Sequence, residues 1–316
     1  MSATAASLTR SGRAISLSTL LLLAGLSLVW GLNWPAMKFV LAEVPVLTFR
    51  TLCLWITGPV LLLLAWLGGE PIAMPRPQWA GLILTSFCNV TAWYFGTAMA
   101  LTFIPAGRAA LLAYTMPVWV AVFSAILLRE RLAPRQLLGL VLGMVGVAVL
   151  IAPELEQLRA APLGAAFVLG AAMGWAIGTV LMKFFVFSGS VAKITGWQLL
   201  IGGAPIALAA ALHDPGPNLL ALDPPTQLVL LYIIALPMVF GQWAWFKSLS
   251  RLSGTVAAIA SLAVPVVGLL SSALLLGERL GPSEVVALTC VVGALALVLL
   301  KPETRTEPGI AEEAAP

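Results

Sequence analysis

PVWVAVFSAILLRERLAP (Pro117–Pro134) returns 148 residues later as PVVGLLSSALLLGERLGP (Pro265–Pro282). Both copies carry Pro-x12-Glu-Arg-Leu-x-Pro at identical spacing. Upstream of each lies a second matched block. WGLNWPAMKF (Trp30–Phe39) aligns with WAIGTVLMKF (Trp175–Phe184) at an offset of 145, and Trp, Met, Lys and Phe coincide. One shared tripeptide is within reach of chance. Two blocks in the same order at nearly one offset are the mark of a duplicated chain.

The stretches between these blocks are apolar. Of 316 residues, 60% are hydrophobic and 9% are charged, against about 25% charged in an average soluble chain. Thirty charged side chains, 17 basic and 13 acidic, cannot cover a soluble fold of this size. The chain reads as an integral membrane protein with the lipid bilayer as its partner. A net charge of +4 is too small and too dispersed for a nucleic-acid footprint. Cys53, Cys88 and Cys290 all lie in apolar runs and read as buried small hydrophobes.

Ten runs are long enough to cross: 17–41, 46–67, 78–101, 104–128, 134–152, 162–187, 191–212, 226–250, 254–277 and 282–300. They are continuous rather than alternating, so they predict helices and not a β-barrel. The fold class expected is therefore all-α, with ten transmembrane helices arranged as two inverted five-helix repeats. Five is odd, so the second copy enters the membrane from the opposite side, which is the architecture of secondary transporters. The units are a tail over 1–16, one repeat over 17–152, a second over 153–300 and a polar tail over 301–316. With both termini cytoplasmic, 12 Lys and Arg fall on the inner side and 5 on the outer, as the positive-inside rule requires. The first run is too long for a signal-peptide core and is read as a retained helix.

The duplicated Glu-Arg-Leu-x-Pro block after a Pro-bearing helix resembles the EamA-type transporters of the drug/metabolite transporter superfamily, over residues 14–300. The aromatic first helix of each half is similar to the aromatic amino-acid exporters of that group. The resemblance implies a multi-pass protein of the bacterial inner (plasma) membrane. It would export aromatic and other neutral amino acids and related small metabolites through a central cavity, as a monomer, by alternating access. Other cargoes stay open: a multidrug or nucleoside-type exporter, or, from another class, a lipid flippase or membrane chaperone. A flippase would need a basic outer rim, for which Lys38, Arg50 and Arg108 are the candidates.

Aromatic and amide side chains form stripes inside the spans. Trp30, Asn33, Trp34 and Met37 share one face of the first helix; Asn89, Trp93, Gly96 and Thr97 share one of the third, beside Tyr94. Trp175 lies in the sixth run, and Gln242 and Trp243 in the eighth. Amides are costly against lipid, so they should face the bundle interior. The expected substrate-binding set is Trp30, Asn33, Asn89, Trp93, Tyr94, Tyr114, Met116, Trp175, Gln242 and Trp243, aromatic walls with a few polar groups suited to a flat, partly polar solute. Pro117 and Pro265, repeat mates in mid-run, are the expected hinges. Glu130-Arg131 and Glu278-Arg279 read as structural ends of the fourth and ninth helices, and Lys38 and Lys183 as snorkelling residues.

Chemistry is not expected. The single histidine, His213, lies in a Pro/Gly-rich loop, no cluster has metal-ligand spacing, and no P-loop is present. The reading is of no enzyme, no cofactor and no metal. Every Asp and Glu falls in a loop, tail or helix end, so a proton relay on an intramembrane carboxylate is disfavoured.

Overall fold

Proline and the left-handed backbone explain why the repeated motif punctuates the chain. The computed structural model describes residues 15–104, 106–152, 155, 159, 161–214, 222–276 and 281–299. In it the fourth crossing ends at Leu127, and Arg129 takes a left-handed φ of 53°. That turn brings the Glu130 amide to the carbonyl of Ser124 at 3.2 Å. The conformation is free of penalty only for glycine, and glycine, Gly277, is the residue at the matching place in the second copy. Pro134 then opens the next helix at a position needing no N–H donor. Gln136 reaches back to the amide of Ala133 at 2.9 Å. Glu278 and Arg279 lie outside the described residues, as do most of the two tails.

Among the described residues the structure is helical, with no strand. The first crossing is α1 (Leu17–Val40) and the second α2 (Val46–Leu67). The third is α3 (Trp79–Ser86), a π-helical turn over Phe87–Ala92, and α4 (Trp93–Leu101). The fourth is α5 (Ala106–Ala113) and α6 (Met116–Leu127), and the fifth α7 (Pro134–Ile151). The second half repeats the plan. It has α8 (Pro162–Phe184) and α9 (Val191–His213), then α10 (Pro224–Ile233), a π turn over Ile234–Phe240 and α11 (Gly241–Leu249). It closes with α12 (Gly254–Ala260), α13 (Ala263–Leu276) and α14 (Pro282–Leu299). Both the π turns and the breaks recur at matching places. Runs read as continuous helices in the sequence are therefore interrupted twice in each half. Pro117 and Pro265 sit in the first turn of a new helical segment, α6 and α13, rather than in mid-helix.

The packing has the symmetry of the repeat. The two most extensive helix pairs, α2 with α9 and α7 with α14, each join repeat mates. Exchanging the halves maps the other large contacts onto one another: α1 on α10 and α11 against α8 on α3 and α4, and α1 on α13 against α8 on α6. At the α2–α9 crossing a Cβ on Gly196 would stand 2.9 Å from the Gly58 carbonyl, so glycine there lets two backbones approach.

Polar clamps tie the halves at both faces, again in mated pairs. At one face Asp214, at the end of α9, accepts from the amide and hydroxyl of Thr48 at 2.8 and 2.9 Å, and Glu43 accepts from Thr226. At the other, Glu70, beyond the end of α2, accepts from the amide of Ser190 at 2.6 Å, and Gln78 accepts from that of Ser188 at 3.0 Å. Asp214 and Glu70 each meet the N-terminal turn of the mated helix, and Glu43 meets that of α10, where anions are favoured. If the repeat is inverted in the membrane, these clamps lie on opposite sides. Cysteines at the exposed positions His213 and Arg131 should then react with an impermeant maleimide from opposite sides of intact cells. Labelling of both from one side would refute the topology.

Candidate binding cavity

The two halves enclose about 850 Å³ of empty space, mouth included, lined from both first helices, α2, α4, α10, α11 and both helix breaks. Its wall is aromatic because the repeat places one tryptophan of each first helix at the axis. Trp30 and Trp175 meet edge to face with ring centroids 6.3 Å apart. Trp93 lies 5.1 Å from Trp175, and Trp245 backs both Trp30 and Trp175 at 5.9 Å. Trp30 is fixed by its indole N–H, which donates to the carbonyl of Pro237 in the second π turn at 3.0 Å. Gly241 makes this possible: any Cβ there would collide with the indole of Trp30. Trp175 is nearly enclosed, 3% exposed, with no partner for its N–H.

The polar edge of the cavity also straddles the axis. Tyr94 and Gln242 are repeat mates at the offset of 148, and Gln242 Nε2 donates to the Tyr94 hydroxyl at 2.8 Å. Asn33 presents a buried Oδ1 without a partner. Ala113, Tyr114 and Met116 bring the fourth crossing's break to the cavity, and Ser261 and Val264 bring the ninth's.

The single formal charge on the described wall is Arg50. It is 6% exposed, and its guanidinium lies 5.4 Å from the Phe49 ring centre and 5.3 Å from that of Tyr94. Its end nitrogens donate to the Met37 thioether at 3.5 Å and the Thr97 hydroxyl at 3.3 Å. Nε has no partner.

Eight of the ten residues expected from sequence line this space: Trp30, Asn33, Trp93, Tyr94, Tyr114, Met116, Trp175 and Gln242. Asn89 and Trp243 do not. Asn89 is fully buried, and its amide packs against the backbone of Gly178 across the α8 interface, where a helix-packing role suffices. Trp243 is half-buried against Phe240, about a quarter-turn round α11 from Gln242. Pro117 is buried next to the cavity rather than in it, and Pro265 borders a smaller apolar recess with Leu111 and Val147. Sequence reasoning passed over Phe49, Arg50 and Cys53 on α2. Arg50, a candidate for the basic outer rim that a flippase would need, points into the cavity instead; the side chains of Lys38 and Arg108 lie outside the described residues.

The seal around the cavity is one-sided. Near the turn over residues 129–133, α6 packs on α12, with Val120 and Ser124 against Gly254. An apolar plug that includes Leu26, Ala257 and Leu262 fills that end. The symmetry-related pair, α5 and α13, makes no comparable contact among the described residues. Identical topology with unequal contacts means that the two halves hold different conformations.

Comparison with known proteins bears on both architecture and role. The profile of the "EamA-like transporter family" matches residues 17–152 and again 162–300. The chain is 28% identical to "Uncharacterized transporter YvbV" of Bacillus subtilis, over 94% of this chain and 97% of that one. It is 32% identical to a "Probable amino-acid metabolite efflux pump" of Escherichia coli, over 80% and 85%. Its counterpart of the same name in Salmonella typhimurium is 31% identical over 84% and 90%. A solved crystal structure superposes with a TM-score of 0.75, covering 90% of this chain and 98% of that one, at 23% identity. That likeness concerns the fold.

Proposed function

We propose, from the premise that this chain belongs to the EamA-like transporter family, that it exports aromatic amino acids and related small metabolites across the bacterial inner membrane by alternating access. The observation that carries the reading is the tryptophan-walled cavity between the two halves, where the mated Trp30 and Trp175 meet. A planar solute there stacks on indole edges and faces, and Gln242, Tyr94 and Asn33 orient its polar end. The names of the Escherichia coli and Salmonella relatives support the cargo class. The one-sided seal supports the cycle. The chain as described is closed at the α6–α12 end, which is the cytoplasmic end if both termini are cytoplasmic, and swapping the conformations of the halves opens that end and closes the other.

The cavity offers no described carboxylate on which to carry a proton. Proteoliposomes loaded with unlabelled tryptophan should therefore accumulate labelled tryptophan or labelled indole-3-acetate by counterflow without an imposed pH gradient. No exchange of either above protein-free liposomes would defeat the proposed function. Exchange that appears only with a pH gradient would defeat its uncoupled form.

A further inference from the structure

We propose that Arg50 is the anchor for a substrate carboxylate, and that the preferred cargo is a monoanionic aromatic acid rather than a zwitterionic amino acid. The inference rests on the export reading above and names the substrate class of the same cavity.

Burying a guanidinium in a membrane protein is expensive unless an anion or a full set of acceptors meets it. Arg50 has neither among the described residues. No acidic side chain lines the cavity. Glu43 and Asp214, carboxylates near the same end of the molecule, are engaged with Thr226 and Thr48 in the surface clamps. The rings of Phe49 and Tyr94 cover the guanidinium's faces, which satisfies stacking but not its edges. Of five N–H donors, the two bonds that form go to a thioether and a hydroxyl, both weak or long, and Nε has none. A planar fork with donors in hand, beside an aromatic slot, matches a carboxylate on an aromatic body.

Charge balance selects among carboxylates. The described wall carries one positive charge and no negative one. A monoanion brings the occupied cavity to neutrality. A zwitterion leaves it at plus one and buries an ammonium for which no carboxylate is present. The repeat mate of Arg50, at the offset of 145, is Thr195, so the cation is a departure from the duplicated plan, present on one side of the axis only.

The test uses the purified full-length protein and four indole probes of nearly equal shape: indole-3-acetate (anion), indole-3-acetamide (neutral), L-tryptophan (zwitterion) and tryptamine (cation). Binding is read by calorimetry. Indole-3-acetate should bind about ten- to hundredfold more tightly than indole-3-acetamide, the range for a hydrogen bond to a charged group, and more tightly than L-tryptophan or tryptamine. In Arg50→Gln the acid-to-amide ratio should fall to near one, and in Arg50→Lys it should recover in part. The wild-type ratio stands as evidence even if a variant fails to fold. Equal binding of acid and amide by the wild type, or an acid preference that survives Arg50→Gln, overturns the anchor. Tighter binding of L-tryptophan than of indole-3-acetate overturns the monoanion preference and leaves amino-acid export standing. Binding of none of the four removes the aromatic-cargo reading itself, and the anchor with it.

Discussion

Trp30→Ala should lower kcat/KM for indole-bearing cargo by about ten- to hundredfold, which corresponds to about 1.4–2.7 kcal/mol of transition-state stabilisation. Three losses add up in that direction. An aromatic pair is worth about 0.5–1.5 kcal/mol beyond area. Removing the ring takes away apolar contact at about 25 cal/mol per Å². The hydrogen bond to Pro237, which holds the second π turn in register with α1, is lost as well. Cargo without a ring should suffer much less, because it never stacked on Trp30. Trp175→Ala should differ in kind. Trp175 touches Trp30, Trp93, Trp245 and Phe246 and is 3% exposed, so truncation leaves a void of the sort that costs about 3–5 kcal/mol in soluble cores. A lower melting temperature should accompany its loss of transport. Trp66→Ala, with Trp66 59% exposed near the end of α2, is the control and should leave selectivity alone. If Trp30→Ala lowered transport of every solute equally and also lowered expression, the ring would be packing and not a wall of the site.

The contrast between Trp30 and Arg50 shows what a sequence of this kind discloses. The repeat is legible because Pro-x12-Glu-Arg-Leu-x-Pro serves a backbone purpose: in the first copy a left-handed turn at Arg129, and in both copies a proline at a helix start. The spans are legible because the bilayer demands their length. Trp30 and Trp175 are legible together because duplication brings mates to the axis. Arg50 was not, for a physical reason. Sequence gives depth along a helix well and rotation about it poorly. Five residues into α2, a cation reads as one that reaches outward to water; it is Phe49 and Tyr94 that turn it inward. Its one signal was negative, an arginine whose mate is Thr195. Asn89, buried away from the cavity, is the opposite case. A mid-membrane amide must avoid lipid, and a neighbouring helix satisfies that demand as well as a cavity does. The breaks at Tyr114–Thr115 and Ser261–Leu262 were hidden because their residues are as apolar as a helix requires, and the prolines just beyond them mark a new start as readily as a kink.

An anion anchored on Arg50 also answers the question of energy. A bacterial interior is electrically negative, and outward movement of one negative charge is favoured by about 2.3 kcal/mol per 100 mV. The loaded cavity is neutral and the empty one is positive, so the same potential draws the empty site back inward. No titrating carboxylate is needed for either step, consistent with its absence from the described wall.

Locking the α6–α12 seal should abolish transport reversibly. A Cβ on Gly254 would stand 3.4 Å from the Ser124 hydroxyl and 3.5 Å from Val120, so cysteines at 124 and 254 would be direct neighbours, as a disulfide with its Cβ atoms about 3.5–4.5 Å apart requires. Cys53, Cys88 and Cys290 are unpaired thiols and must first be replaced, with that cysteine-free protein as the reference. Under oxidation, Ser124→Cys/Gly254→Cys should lose at least about 90% of counterflow, since a cycle that must part these helices stops with a covalent bond across them. A reductant should restore it. Binding is the second readout: the oxidised protein should still take up indole probes, because the tryptophan wall lies beyond the seal and keeps its access from the other end. Oxidised protein that transports normally would show that α6 and α12 stay together throughout the cycle, and alternating access by this pair of half-helices would have to be abandoned. Full transport in the reduced form guards against the other explanation, that the two cysteines merely misfold the chain.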